Sequence, residues 1–178
     1  MKVKDMTLIA VMAALICLCG PLSVEVGPVP VSLCSFAVYL AGAMLGWKRG
    51  CAAVAVYLMI GLVGLPVFAG FSGGFSKLVG VTGGYLIGYV PCALIAGLGV
   101  DKPGEGWDRA IWVQPALMLA GTAALYLIGT VWFILETGST LASAMGVCVV
   151  PFLPGDAIKI VAACLIAAPV RKAIAVKA

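Results

Sequence analysis

Asp156 and Lys159 are the charged residues whose spacing points most directly to chemistry. They lie three positions apart at the start of the apolar segment PGDAIKIVAACLIAAPV, so on a helix their side chains share one face. In a membrane-crossing helix a charge costs about 2.5 to 3.5 kcal/mol, and such residues usually face a cavity and have a function. The pair offers an acceptor for N–H groups and a cation for a carboxylate. The alternative is an ion pair that neutralises itself and lets the helix insert.

Composition indicates that this segment belongs to a membrane protein. Of the 178 residues, 63% are hydrophobic and 10% are charged, whereas a soluble domain carries about 25% charged residues. One domain spanning residues 1–178 is expected at this length. The chain has no histidine, which excludes Ser-His and Cys-His nucleophiles and HExxH zinc sites. The seven cysteines lack CxxC spacing, so we interpret them as buried apolar residues rather than as disulfides or metal ligands.

Six membrane crossings are predicted, each needing about 20 apolar residues. Five stretches without Asp, Glu, Lys or Arg are long enough, namely 6–24, 26–47, 50–76, 78–100 and 110–135. Residues 137–155 are interrupted by glycine and proline, so the sixth crossing is expected to run from Pro154 to about Arg171. A short surface or re-entrant helix is then expected at 141–152. The predicted fold class is an all-α integral membrane protein, a bundle of six transmembrane helices.

Basic residues predict the orientation, because Lys and Arg collect in short cytoplasmic loops. With six crossings, one side of the membrane receives nine basic residues and the other receives Lys77 alone. The nine are Lys2, Lys4, Lys48, Arg49, Lys102, Arg109, Arg171, Lys172 and Lys177. Both termini are therefore expected in the cytoplasm, with the chain in the plasma membrane. The net charge of +4 is interpreted as a topology signal rather than as a nucleic-acid-binding signal.

The two long outer connections, residues 21–32 and 65–84, are apolar and rich in glycine and proline. Loops that only join helices are usually short, so these are expected to form a lid over a ligand; a hydrophobic plug without a ligand is the alternative. Aromatic residues at the outer ends of the crossings either line a pocket beneath the lid or form an interfacial belt. They are Phe36, Phe68, Phe71, Phe75, Tyr85 and Phe152.

Ala10 and Ala14 form a small-xxx-small pair in the first crossing, with Ala13 beside them. Small residues at this spacing let another helix approach closely, so the pair is a candidate docking face for a partner subunit. The other interpretation is the ordinary alanine content of a membrane helix.

Three segments of the chain are distinctive, namely GLPVFAGFSGGFSKLVGVTGGYLIGY at 64–89, PVPVSLCSFAVYLAGAMLG at 28–46 and PGDAIK at 154–159. Together they resemble the BioY family, the biotin-binding S components of energy-coupling factor (ECF) transporters. The resemblance covers nearly the whole chain, and the first segment is far more specific than six apolar spans. The resemblance implies a six-helix membrane bundle that captures biotin from outside with very high affinity. Transport inward then involves a transmembrane coupling protein and two cytoplasmic ATPases.

The resemblance also implies which residues form the site. Asp156 and Lys159 match the family's PxDxxK motif, which is implicated in biotin binding, and Ala10 and Ala14 match the first helix that contacts the coupling protein. The candidate substrate-binding residues are Asp156, Lys159, Tyr85, Phe36, Ser35, Phe71, Gly73 and Gly74. At positions 34 and 81 the family often has Gln and Pro where this chain has Cys34 and Val81, so Cys34 is not assigned as a ligand contact.

Biotin suits such a site because its ureido ring donates and accepts hydrogen bonds, its thiophane ring is apolar and its valerate ends in a carboxylate. In the simplest pairing, Lys159 binds the valerate carboxylate and Asp156 accepts a hydrogen bond from a ureido N–H. The sequence does not decide which end of biotin meets which residue. Binding of another vitamin, intramembrane catalysis and a structural role are the alternatives. No enzymatic activity and no cofactor are expected. The chain also lacks a GxxxxGK[ST] phosphate loop, so energy must come from partners or from a pre-existing gradient.

Overall fold

Helices account for most of the computed structural model, which describes residues 3–24, 28–100 and 110–176. In chain order they are α1 (Val3–Cys19), α2 (Cys34–Leu45), α3 (Trp47–Leu62), α4 (Phe75–Val79), α5 (Gly83–Gly97), α6 (Ala110–Thr137), α7 (Leu141–Cys148) and α8 (Leu153–Val176). Two strands, β1 (Ser23–Val24) and β2 (Val31–Ser32), pair antiparallel between α1 and α2. The mostly helical fold predicted from the sequence is confirmed, whereas strands of two residues leave no periodic pattern to detect.

Helix α2 occupies the centre of the bundle. It packs against α1, α3, α5 and α8, and ten of its 12 residues are buried. A helix that is apolar on every side belongs in the interior. Helix α5 packs in turn against α6. Fully buried small residues such as Ala41, Ala93 and Ala96 allow neighbouring helices to approach closely.

Two helices in the described part of the chain are long and apolar enough to cross a membrane by themselves, Trp112–Thr137 within α6 and Leu153–Arg171 within α8. Helices α2 and α5 are apolar but have only 12 and 15 residues, which gives lengths of about 18 and 22 Å. The hydrocarbon core is about 30 Å thick. The stretches 26–47 and 78–100 are thus only partly helical, and the number of crossings stays a prediction.

The backbone before each of the two short helices is irregular. Before α2 the irregular segment is 28–33, within which residues 31–32 form β2, and before α5 it is 80–82. Irregular backbone at membrane depth is tolerated only where protein covers it or where it lines a cavity. Both segments contribute residues to a cavity wall. The shortness of α2 and α5 therefore leaves space inside the bundle.

Helix α7 lies within the segment 141–152, for which the sequence predicts a short helix. Cys148 at its end is buried, and all seven cysteines are free thiols. Burial raises the pKa of the Cys148 thiol, which therefore stays protonated at neutral pH and packs as an apolar group.

Candidate ligand-binding site

A cavity of about 530 Å³ lies between α2, α3, α5, α6 and α8, at the end of the bundle that carries α4 and the β1–β2 hairpin. Its volume falls in the range of roughly 300 to 1,000 Å³ that is typical of small-molecule sites. The described wall contains three charged side chains, those of Lys77, Asp156 and Lys159. An apolar body with a few convergent polar groups is the pattern of a ligand site.

Asp156 and Lys159 form a buried ion pair in the first two turns of α8. Lys159 Nζ lies 2.9 Å from Asp156 Oδ1, and the two residues are 4% and 9% exposed. Because α8 begins at Leu153, the carboxylate lies near the helix N-terminus, where the helix dipole stabilises negative charge. The spacing of three residues therefore places both charges on the face of α8 that borders the cavity.

Further hydrogen bonds surround the pair. Lys159 Nζ donates to the Ser32 carbonyl at 2.7 Å and to the Ser35 hydroxyl at 3.1 Å. Asp156 accepts a hydrogen bond from Ser35 at 3.2 Å and one from the Tyr126 hydroxyl at 2.6 Å. Buried charges are tolerated when they are paired and hydrogen-bonded in this way. The network ties α8 to β2, α2 and α6 at the cavity wall.

Six aromatic side chains line the described part of the cavity. They are Tyr57, Phe68, Tyr85, Tyr89, Tyr126 and Phe152. Tyr85 stacks on Phe152 with ring centroids 6.5 Å apart and an interplanar angle of 14°. Tyr57 meets Phe68 edge-on at 5.5 Å and 80°. The Tyr85 hydroxyl also donates to the Cys148 carbonyl at 3.1 Å, so the wall is ordered by contacts among its own residues.

The structure brings half of the eight predicted substrate-binding residues into this wall, namely Ser35, Tyr85, Asp156 and Lys159. The other four, Phe36, Phe71, Gly73 and Gly74, lie outside it. Phe71 is 70% exposed and borders a second groove beside the hairpin, which Ser32 and Lys159 also line. Contact of any of the eight with a ligand stays a prediction.

Gly73 and Gly74 determine the shape of the connection between α3 and α4. A Cβ on Gly73 would collide with the Leu65 carbonyl, and Gly74 has a φ of +94°, a conformation that favours glycine. The Gly74 N–H donates to the Gly61 carbonyl at 2.8 Å, which folds the connection back onto the end of α3. Phe68 in this connection thereby reaches the cavity wall.

Tyr57, Tyr89 and Tyr126 also line the cavity, although the aromatic pattern of the sequence does not single them out. These residues lie inside α3, α5 and α6 rather than at the outer ends where the aromatic pattern draws attention. The sequence does carry a signal for these residues, namely a tyrosine in the middle of an apolar helix. Its hydroxyl needs a hydrogen-bond partner when it is buried. Such tyrosines mark a polar interior.

These features define a class of protein, an α-helical membrane protein built around a cavity with a buried ion pair in its wall. The chain belongs to the BioY family, whose family model matches residues 1–176. The resemblance stated from the sequence is thus confirmed. Members of the family are named as transporters rather than enzymes, and the membrane location predicted from composition agrees with the family.

Individual relatives match over almost their full lengths. The chain is 40% identical over 167 residues to the probable biotin transporter BioY of Pyrococcus horikoshii, covering 94% of this chain and 96% of that protein. It is 40% identical over 163 residues to the biotin transporter BioY of Thermotoga maritima, covering 91% and 92%. The solved structure of the S-component for biotin from an ECF-type ABC transporter matches with a TM-score of 0.87 and 30% identity, covering 96% of this chain and 92% of that one.

Proposed function

We propose that this protein captures biotin at the outer face of the membrane and serves as the biotin-specific S component of an ECF-type transporter. The observation that carries the proposal is the buried Asp156–Lys159 pair in the cavity wall of a BioY family member. A self-neutralising pair that only aids insertion has no need of a cavity beside it.

The chemistry of the cavity suits biotin. The Asp156 carboxylate and the Ser35 and Tyr126 hydroxyls, all on buried residues of the wall, supply acceptors and donors for the ureido ring. The aromatic residues of the cavity supply an apolar surface for the thiophane ring. The cationic side chains in the wall suit an anionic ligand, which disfavours a cationic vitamin as the substrate.

The proposed topology has six crossings, formed by α1, α2, α3, α5, α6 and α8, with both termini in the cytoplasm. Arg49 forms an ion pair with Asp5 at 3.0 Å, which joins the starts of α1 and α3. Arg171 donates to the Val100 carbonyl at 2.7 Å, which joins α8 to the segment that follows α5. Both arginines thus lie near helix ends that the six-crossing arrangement assigns to the cytoplasmic side, which supports the proposal.

The proposed partners are a transmembrane coupling protein and two cytoplasmic ATPases. We place the coupling protein on the face of α1 that contains Ala10 and Ala14. Both alanines are exposed, whereas neighbouring Ala13 is buried. Two small exposed residues one turn apart form a short exposed stripe at which another membrane helix can approach closely.

Ligand retention and titration test the proposed function. Mass spectrometry of the protein after gentle detergent purification is expected to detect biotin. Lys159→Ala is expected to weaken biotin binding roughly 30-fold to several thousand-fold, because removing one partner of a buried charge pair costs about 2 to 5 kcal/mol and 1.4 kcal/mol is tenfold in affinity. Asp156→Asn keeps shape and an acceptor, so a smaller loss is expected.

Lys48→Ala is the matched control, because Lys48 is an exposed lysine on α3 that does not line the cavity. Its biotin affinity should equal that of the wild type. If the purified protein retains a different vitamin, that vitamin and not biotin is its ligand. Undiminished biotin binding with both Asp156 and Lys159 changed to alanine would disprove the site.

A further inference from the structure

The ammonium group of Lys159 is fully engaged by the protein itself. Its three N–H donors meet three acceptors, the Ser32 carbonyl at 2.7 Å, the Asp156 carboxylate at 2.9 Å and the Ser35 hydroxyl at 3.1 Å. A lysine ammonium has three donors and no acceptor. To bind a ligand carboxylate, Lys159 would have to give up one of these buried bonds.

Lys77 is a second cation in the cavity wall, and its situation is the opposite. It lies in the last turn of α4, its side chain is exposed, and it borders the cavity together with Ser76. Among the described residues its ammonium group has no hydrogen-bond or ion-pair partner. Lys77 therefore borders the cavity and has all three ammonium donors available.

The charge balance of the described wall leads to the same residue. Asp156 and Lys159 cancel each other within the buried pair. Lys77 is the remaining charged side chain of the described wall, which leaves that wall with an excess of one positive charge. An aliphatic carboxylic acid is ionised at neutral pH, so a ligand with one carboxylate would neutralise the excess.

We propose that Lys77 binds the carboxylate of the ligand at the cavity rim, while the buried Asp156–Lys159 network binds the neutral polar end. This inference rests on the proposed function, in which the ligand is biotin. The ureido ring then enters first and the valerate points toward α4. Keeping the carboxylate at the exposed rim avoids most of the desolvation that a deeply buried anion would incur. Lys77 thereby selects for a free acid without forming part of the buried network.

The experiment titrates the full-length protein in detergent with biotin and with biotin amide, which lacks the negative charge. Lys77→Gln is expected to weaken biotin binding roughly two- to fivefold, the range of a partly exposed ion pair, and to leave biotin amide almost unaffected. Lys77→Arg keeps the charge and should retain the preference for biotin. Lys77→Glu should weaken biotin further, and added salt should reduce the preference of the wild type.

Lys48→Gln is the matched control, since it removes an exposed lysine outside the cavity. Equal losses for biotin and its amide in Lys77→Gln would mean that Lys77 only supports the fold of α4, and unchanged biotin affinity would overturn the proposal as well. In either case the wild type still binds biotin and the proposed function stands. A wild type that binds neither compound would overturn both.

Discussion

The Asp156 carboxylate is held by three donors, and the shortest of these hydrogen bonds comes from Tyr126. The distances are 2.6 Å to Tyr126, 2.9 Å to Lys159 and 3.2 Å to Ser35. A hydrogen bond to a charged group contributes about 1.5 to 3 kcal/mol. Tyr126 also lines the cavity, so it both orients the carboxylate and borders the ligand space. This residue therefore links the buried network to the binding surface.

Tyr126→Phe is expected to weaken biotin binding by about tenfold. The substitution removes the hydroxyl, retains the ring and leaves the Asp156 carboxylate with one donor fewer to fix its position. Isothermal titration of the purified variants with biotin measures the effect. Gln114→Leu is the matched control, because the buried Gln114 amide donates to the Ala96 carbonyl at 2.8 Å and Gln114 does not line the cavity. Equal losses in both variants would mean that losing a buried hydrogen bond only loosens the bundle.

Phe71 illustrates what residue type alone does not reveal. Its aromatic ring and its place in a glycine-rich connection predict that it lines the pocket. Its φ of +55° is unusual for a residue other than glycine, and its side chain is 70% exposed. The backbone conformation is set by the short bridge between Phe68 and Ser72, which no sequence pattern specifies. Phe68 rather than Phe71 consequently reaches the cavity.

At the scale of helices, the sequence predicts the fold better than it predicts the site. A long charge-free segment identifies α6, because a membrane-crossing helix imposes a strong compositional signal. The glycines and prolines before Pro154 locate the start of α8. The compositional signal cannot reveal that α2 and α5 are short, since the irregular backbone before them is equally apolar. It also cannot place Tyr57 and Tyr89 in the cavity, because the face that each tyrosine occupies depends on how the helices pack together.

The exposed stripe of α1 provides a prediction about assembly. Ala10→Trp combined with Ala14→Trp is expected to abolish co-purification with the coupling protein, because two indoles prevent close helix approach. Biotin binding should persist, since neither alanine lines the cavity. Pull-down from membranes and biotin titration measure the two properties separately.

A matched control for this experiment exists on α6, where Ala116 and Ala120 are also exposed and have the same spacing. Tryptophan at both of these positions should leave co-purification intact. Loss of assembly in both double variants would indicate a general effect of bulky residues on membrane packing. Normal co-purification of the α1 variant would mean that Ala10 and Ala14 do not form a docking face and reflect only the ordinary alanine content of a membrane helix.

For the molecule as a whole, the charges and the cavity are arranged along one axis. Lys77 lies at the cavity rim on α4. Lys48 and Arg49 lie in the first turn of α3, beside the start of α1 through the Asp5–Arg49 ion pair. Gly97 at the end of α5 packs against the backbone of Trp47, which places this end of α5 there as well. The described basic residues near these helix ends and the cavity rim thus occupy opposite ends of the bundle. If the basic end is cytoplasmic, the cavity opens outward.

Cysteine labelling in a background without native cysteines tests this orientation. In intact cells a membrane-impermeant maleimide is expected to label Lys77→Cys, and not Lys48→Cys or Ala175→Cys, because the predicted loops place only position 77 outside. All three variants should react after the membrane is permeabilised, which controls for accessibility of the thiol. Biotin uptake by Lys48→Cys and Ala175→Cys, and by Lys77→Cys at a biotin concentration high enough to offset its weaker binding, establishes that the protein is inserted correctly. Labelling of both Lys77→Cys and Ala175→Cys in intact cells would require an even number of crossings between the two positions instead of three, and would rule out the six-crossing topology.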